Sequence, residues 1–141
     1  MAIKFHFDDL DKFYINQTIK KKWINSCILK YNKVLGDINY IFCTDDYLLK
    51  INKQYLNHDF YTDIITFDYC EDDIINSDIY ISIDRVKENS KDLNLPFAEE
   101  LNRVLIHGVL HLVGFKDHTD KEKEQMRRRE DNCLNLFYNT K

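Results

Sequence analysis

Glycine and proline are scarce in this chain. Three glycines and one proline in 141 residues leave few places for a free turn and little room for linkers. No apolar run reaches the roughly 18 residues that a membrane-spanning helix needs, and no signal-like N-terminus is present, so a soluble, cytoplasmic protein is expected. The four cysteines (Cys27, Cys43, Cys70, Cys133) lie far apart and form no Cys-x-x-Cys, which speaks for buried, reduced thiols. Internal repeats and low-complexity tracts are missing too. The net charge is −4, with basic residues gathered in Lys20-Lys21-Lys22 and Arg127-Arg128-Arg129; such runs are most often solvated helix faces.

What is there suits one compact domain spanning residues 1–141. A hydrophobic fraction of 44%, with nine Phe and nine Tyr, can bury a core without staples. Ala2 to Phe7 alternates as a strand. Ile19, Trp23, Cys27 and Tyr31 recur every four residues on a predicted helix over 18–31, which Gly36 is expected to close. A strand over 37–43 and a helix over 45–56 follow, the latter with Leu48, Leu49 and Ile51 inward. Ile64 to Phe67 and Ile79 to Ile83 are β-rich runs on either side of the acidic Glu71-Asp72-Asp73, and they are expected to pair.

The last third reads as two helices. Pro96 suits a first turn, Glu99 and Glu100 the positive end of the helix dipole, and Gly114 the stop. Phe97, Leu101, Val104, Leu105 and Leu112 would face inward, with His107 and His111 on the border. Thr119 followed by Glu122 is a capping-box pattern, opening a helix to about Phe137 that turns Met126, Cys133, Leu134 and Phe137 to the core. The expected fold is α+β: a small mixed sheet packed with helices, with a metal site at the C-terminal end of a central helix.

That metal site is spelled by His107 to His118. His107 and His111 are one helical turn apart and share a face. Gly114 turns the chain back toward that face, and a third donor follows from Asp117 or His118. Two imidazoles plus one further donor, with a fourth position open to water, is the make-up of a catalytic zinc site. Asp117 is the tenth residue after His107 and His118 the eleventh. Longer zincin signatures place their third ligand ten residues after the first. Spacing favours Asp117, ligand chemistry favours His118, and spacing is given the greater weight. A metal adds positive charge of its own, so the acidic balance does not exclude a phosphate-bearing substrate. A peptidase of the His-Glu-x-x-His type would carry its general base where this chain has Gly108, which leaves a zinc peptidase a remote alternative.

His107-Gly108-Val109-Leu110-His111-Leu112-Val113-Gly114-Phe115 resembles the signature of the YbeY-type endoribonucleases, the bacterial rRNA maturation factors. Two further blocks are similar to theirs: Asn52 through Phe67, and Ser77-Asp78-Ile79-Tyr80-Ile81-Ser82, with Ser77 in place of a glycine. The resemblance covers about residues 36 to 137, and the histidine block is its specific part. It implies one Zn2+ on His107, His111 and the third-position residue. It also implies a metal-dependent, single-strand endoribonuclease acting in 16S rRNA 3′-end maturation and ribosome quality control. Its partners would be single-stranded rRNA, the small ribosomal subunit, and ribosomal proteins or a GTPase, with no membrane. The family usually carries an arginine shortly before its Thr-Asp pair, here Thr62-Asp63, and ungapped matching puts Leu56 at that position. His58 or Arg85 is the candidate replacement.

The mechanism this implies is phosphodiester hydrolysis by a metal-activated water, with Asp63 and Asn52 as supporting groups or helix caps and no general base identifiable. The competing class is a non-catalytic ribosome-assembly factor whose metal only secures the helix end.

Overall fold

The structure is a computed structural model that describes residues 2–58 and 61–139, so Asp59 and Phe60 of the Asn52–Phe67 block, and the terminal residues Met1, Thr140 and Lys141, lie outside the described residues. The element order is β1 (Ile3–Phe7), α1 (Gln17–Lys30), β2 (Val34–Cys43), α2 (Asp45–Leu56), β3 (Ile64–Asp68), β4 (Ile74–Ser82), α3 (Ile83–Asp92), α4 (Phe97–Val113) and α5 (Asp120–Asn139). The sheet runs β1-β2-β4-β3, with β1 and β4 parallel to β2 and β3 antiparallel to β4. This is the expected α+β fold with a small mixed sheet.

Strand alternation decides which face is covered. Ile38, Tyr40 and Phe42 on β2 and Ile75, Ile79 and Ile81 on β4 are buried in one core with Trp23, Ile24, Cys27 and Ile28 of α1, Leu105, Ile106 and Val109 of α4, and Met126, Cys133 and Phe137 of α5. The opposite face is covered in part by α2, where Leu48 packs on Cys43 and Ile65. Helix α4 touches α1, α3, α5, β3 and β4 and is the central helix of the layer. Ten of the 17 residues of α4 are buried, and a helix apolar on most of its faces belongs inside.

Several sequence expectations shift. Gly36 does not close α1, which ends at Tyr31 with Asn32 in the left-handed region at φ 61. Gly36 lies inside β2 at an irregularity in the pairing with β4, where a Cβ would collide with the Asn76 side chain and meet the Ile75 carbonyl at 2.8 Å. Its lack of a side chain serves close approach between strands, not a helix stop. The inward stripe of α1 is rotated: Lys20, Ile24 and Ile28 are buried beside Trp23 and Cys27, while Ile19 and Tyr31 are half-buried. Lys20 thus leaves the basic run and sinks its ammonium against Asn102 Oδ1 at 2.5 Å and over the Phe137 ring. In α2, Leu48 is buried but Leu49 and Ile51 only half so. Ile83 opens α3 instead of ending a strand, and Ser82 caps that helix by accepting from the Arg85 N–H. With only Ile83, Val86 and Ser90 buried, α3 has too thin an apolar stripe to announce itself.

Candidate metal centre

Two local devices build the site. First, α4 places His107 and His111 on one face at its C-terminal end, with ring centroids 4.6 Å apart. Second, Gly114 adopts φ 120, a conformation that L side chains rarely reach, and ends the helix. Its N–H donates to the His111 carbonyl at 3.0 Å, and that of Phe115 to the Leu110 carbonyl at 3.1 Å. The turn is packed from outside, with Phe115 edge-on to Tyr31 and under the Arg129 guanidinium at 3.9 Å. The chain therefore doubles back, and Asp117 returns to the histidine face.

Three donor atoms converge there. The Nε2 atoms of His107 and His111 are 3.0 Å apart, and Asp117 Oδ2 is 3.3 Å from each. Among the described residues these three form the only group of histidine, cysteine and carboxylate donors close enough to hold a metal ion. His118 is exposed and outside the cluster. The side chains of the trio are 22%, 30% and 32% exposed, so one side of the cluster is open to water or substrate.

The outer nitrogens decide what the inner ones can do. His107 Nδ1 is 2.6 Å from Glu130 Oε2, and His111 Nδ1 is 3.0 Å from the Phe115 carbonyl. A carboxylate and a carbonyl only accept, so both Nδ1 atoms donate and both Nε2 atoms of the neutral rings carry lone pairs. Two facing lone pairs and a carboxylate oxygen repel one another unless a cation stands among them. The donor set therefore fits a metal ion, and the carboxylate-histidine arrangement is the one that orients metal ligands.

Glu130 escaped the sequence reading. It is 5% exposed and sits among the inward positions Met126, Cys133 and Phe137 of α5. A carboxylate on that stripe was its signal. Arg103 Nη1 donates to Glu130 Oε1 and Arg103 Nη2 to Asp131 Oδ1, each at 2.9 Å, which completes the partners of the buried charge. Burial alone lowers the His107 pKa, but the bond to Glu130 and the charges of Glu130, Asp117 and Asp63 outweigh it and leave it raised.

Asp63, Glu100, Arg103, Val104, His107, Arg127 and Glu130 line a cavity of about 190 Å³ beside the trio. Burial raises the Asp63 carboxyl, an effect that His107 partly offsets. The other sequence candidates have contacts of their own. Arg85 Nε donates to both carboxylate oxygens of Asp45 at 3.1 Å, and its guanidinium lies over Tyr61. His58 is exposed, just past the left-handed Asn57 that ends α2. Asn52 is buried, and its carbonyl accepts the His58 N–H at 3.1 Å, so part of its role is to finish α2. Leu56 is exposed. Gly108 faces the sheet, 3.1 Å from Ile64 Cδ1 for a Cβ placed there.

Comparison with known proteins accords with this geometry. Residues 6–138 match the profile of the family described as Endoribonuclease YbeY. The chain is 53% identical over 136 residues to the Endoribonuclease YbeY of Flavobacterium psychrophilum, covering 96% of each chain. It is 45% identical over 138 residues to that of Porphyromonas gingivalis, covering 98% of this chain and 91% of the relative. In fold it is similar to a Thermotoga maritima protein solved in solution, with a TM-score of 0.69 at 24% identity, covering 99% of this chain and 91% of that one.

Proposed function

The chain belongs to the YbeY endoribonuclease family and is a nuclease, and from that premise we propose that it cuts single-stranded RNA with one zinc ion held by His107 Nε2, His111 Nε2 and Asp117 Oδ2. The observation that carries this reading is the convergence of those three atoms, with both Nδ1 atoms committed to donation. Imidazole and carboxylate donors in a set of three with an open side suit catalytic zinc. When bound, such an ion supplies Lewis acidity toward a phosphoryl oxygen and brings the pKa of water toward neutrality.

The residues of the chain do the positioning. Glu130 holds His107 in the tautomer that directs Nε2 inward, and Arg103 holds Glu130. The Phe115 carbonyl does the same for His111. Asp63, whose carboxyl is raised by burial, borders the cavity next to His107 and is the group placed to hold a proton during hydrolysis. Gly108 lies against Ile64 and Ile79, so its position supplies no base to the trio, and the peptidase alternative loses its support.

For the substrate we propose the 3′ end of 16S rRNA, with a role in small-subunit maturation and ribosome quality control in the cytoplasm. The resemblance of the histidine block to the rRNA maturation factors supports this reading. Ribosomal proteins or a GTPase of the same assembly would be its partners. Among the described residues no helix is long and apolar enough to cross a membrane.

The test joins metal content to cleavage. Purified protein is expected to carry about one zinc per chain and to cut single-stranded RNA. Chelation and His111→Ala are each expected to abolish cutting while circular dichroism stays that of a folded protein. Cutting that survives both treatments would overturn the metal-nuclease reading. Loss of metal without loss of ribosome association, in a wild type that never cuts, would favour the assembly-factor role.

A further inference from the structure

The cavity beside His107 has a chemical character of its own. Three carboxylates (Asp63, Glu100, Glu130) and two guanidiniums (Arg103, Arg127) line it, with Val104 as its apolar patch. Arg103 is spent on Glu130 and Asp131. What remains is acidic, which disfavours a phosphate and favours a group that presents N–H donors.

Two of the lining groups keep unmet bonding capacity. Glu100 is 5% exposed, yet its Oε1 has no hydrogen-bond partner among the described residues. A buried oxygen left unpaired bears its full desolvation cost, and in a native protein such a group calls for a partner. Arg127 is exposed and makes no ion pair among the described residues, whereas its neighbours in the run are engaged: Arg128 with Glu124, Arg129 over Phe115. A guanidinium plane at the rim of a cavity is a stacking surface for a base.

We propose that this cavity is a nucleobase subsite, in which Glu100 accepts from the amino group of adenine, cytosine or guanine while Arg127 stacks on the ring. The proposal rests on the endoribonuclease reading, because it places the base of a nucleotide next to the linkage presented at His107. An ionised carboxylate only accepts, so it discriminates against uracil, whose edge carries two carbonyls and a single N–H.

The experiment uses the full chain, with zinc content recorded, and four single-stranded oligoribonucleotides that differ at one central base. A version of each with methylphosphonates at the linkages flanking the central base, which resist hydrolysis, is used for binding by fluorescence anisotropy. The wild type is expected to bind and cut the uridine oligonucleotide about 5- to 150-fold less well than the best of the other three. Glu100→Gln should bring the four toward equality, because its amide presents a donor to the amino group. Arg127→Ala should weaken all four alike, since stacking tolerates any base. Zinc content should match the wild type in both variants. Equal treatment of the four by the wild type, a preference untouched by Glu100→Gln, or no binding of any oligonucleotide would overturn the subsite. An Arg127→Ala loss that fades with added salt while the preference ignores Glu100→Gln would show a phosphate contact and overturn it too. Cutting of all four without preference leaves the nuclease reading standing alone. Base-selective binding without any cutting leaves the subsite and removes the nuclease reading.

Discussion

The Tyr40 hydroxyl donates to the carbonyl of Leu105 over 2.9 Å, joining the buried middle of β2 to the α4 turn that leads into His107. Tyr40 is fully buried, stacks on Phe5 with ring centroids 5.4 Å apart, and burial pushes its hydroxyl far up from the ordinary phenol range. It therefore stays a neutral donor and pins the azimuth of α4 on the sheet, which sets where both histidines point.

Tyr40→Phe keeps the ring and removes that one bond. The expected loss is about 1 kcal/mol, read as a melting-temperature drop of about 4 °C in chelated protein. A variant as stable as the wild type would mean that packing alone sets the angle of α4.

Glu130 holds His107 Nδ1 at 2.6 Å and, at the proposed site, would act on the ion through that ring. Glu130→Gln should weaken zinc binding by about 10- to 100-fold, the range for partners of a metal-bound histidine. A competition titration against a chromophoric chelator checks this, with circular dichroism at matched temperature to separate misfolding from lost affinity.

Gly108 separates helix propensity from space. Alanine there gains up to about 1 kcal/mol of helix propensity, but its Cβ would stand 3.1 Å from Ile64 Cδ1 and 3.3 Å from Ile79 Cδ1. Both are methyl ends that can shift by a few tenths of an ångström, so Gly108→Ala should change stability by less than about 1.5 kcal/mol in either direction. Gly108→Glu, which would write His-Glu-x-x-His into the helix, buries an unpaired carboxylate among isoleucines and should fail to fold. Soluble, chelator-sensitive peptide hydrolysis by that variant would refute this placement.

Burial raises the Glu100 pKa, opposed in part by Arg103 and Arg127. The folded protein thus holds the Glu100 proton more tightly than the unfolded chain. The contribution favours folding below the unfolded pKa and is lost as pH rises through the folded value. Glu100→Gln removes that loss. Denaturant titrations from acidic to neutral pH should show the variant gaining on the wild type as pH rises, and a constant difference would exclude Glu100 as the source. A natural residue whose removal stabilises the fold is the pattern expected of one kept for function.

How much of this was legible depends on distance along the chain. The spacing of His107 and His111, the stop at Gly114, and the Thr119–Glu122 capping box, whose two bonds of 3.0 and 3.1 Å are both present, are local and could be read directly. The role of Gly36 is not legible locally, because a glycine looks the same whether it ends a helix or admits a neighbouring strand. Lys20 and Glu130 were passed over because charged residues are assigned to the surface by default. Each instead lies on a buried stripe with a partner from a distant helix, Asn102 for one and Arg103 for the other.

The sequence by itself determined the α+β order and the donor types of the site, because helix turns, glycine stops and strand alternation depend on neighbours within a few residues. Only the tertiary structure decided which donor joins the histidines and what stands behind them. Asp117 and His118 are adjacent and both able to bind metal, and the path after Gly114, packed under Tyr31 and Arg129, turns Asp117 inward and leaves His118 in solvent. Glu130 reaches His107 across 23 positions of chain, a distance at which the packing of α5 on α4, and no local rule, sets the meeting.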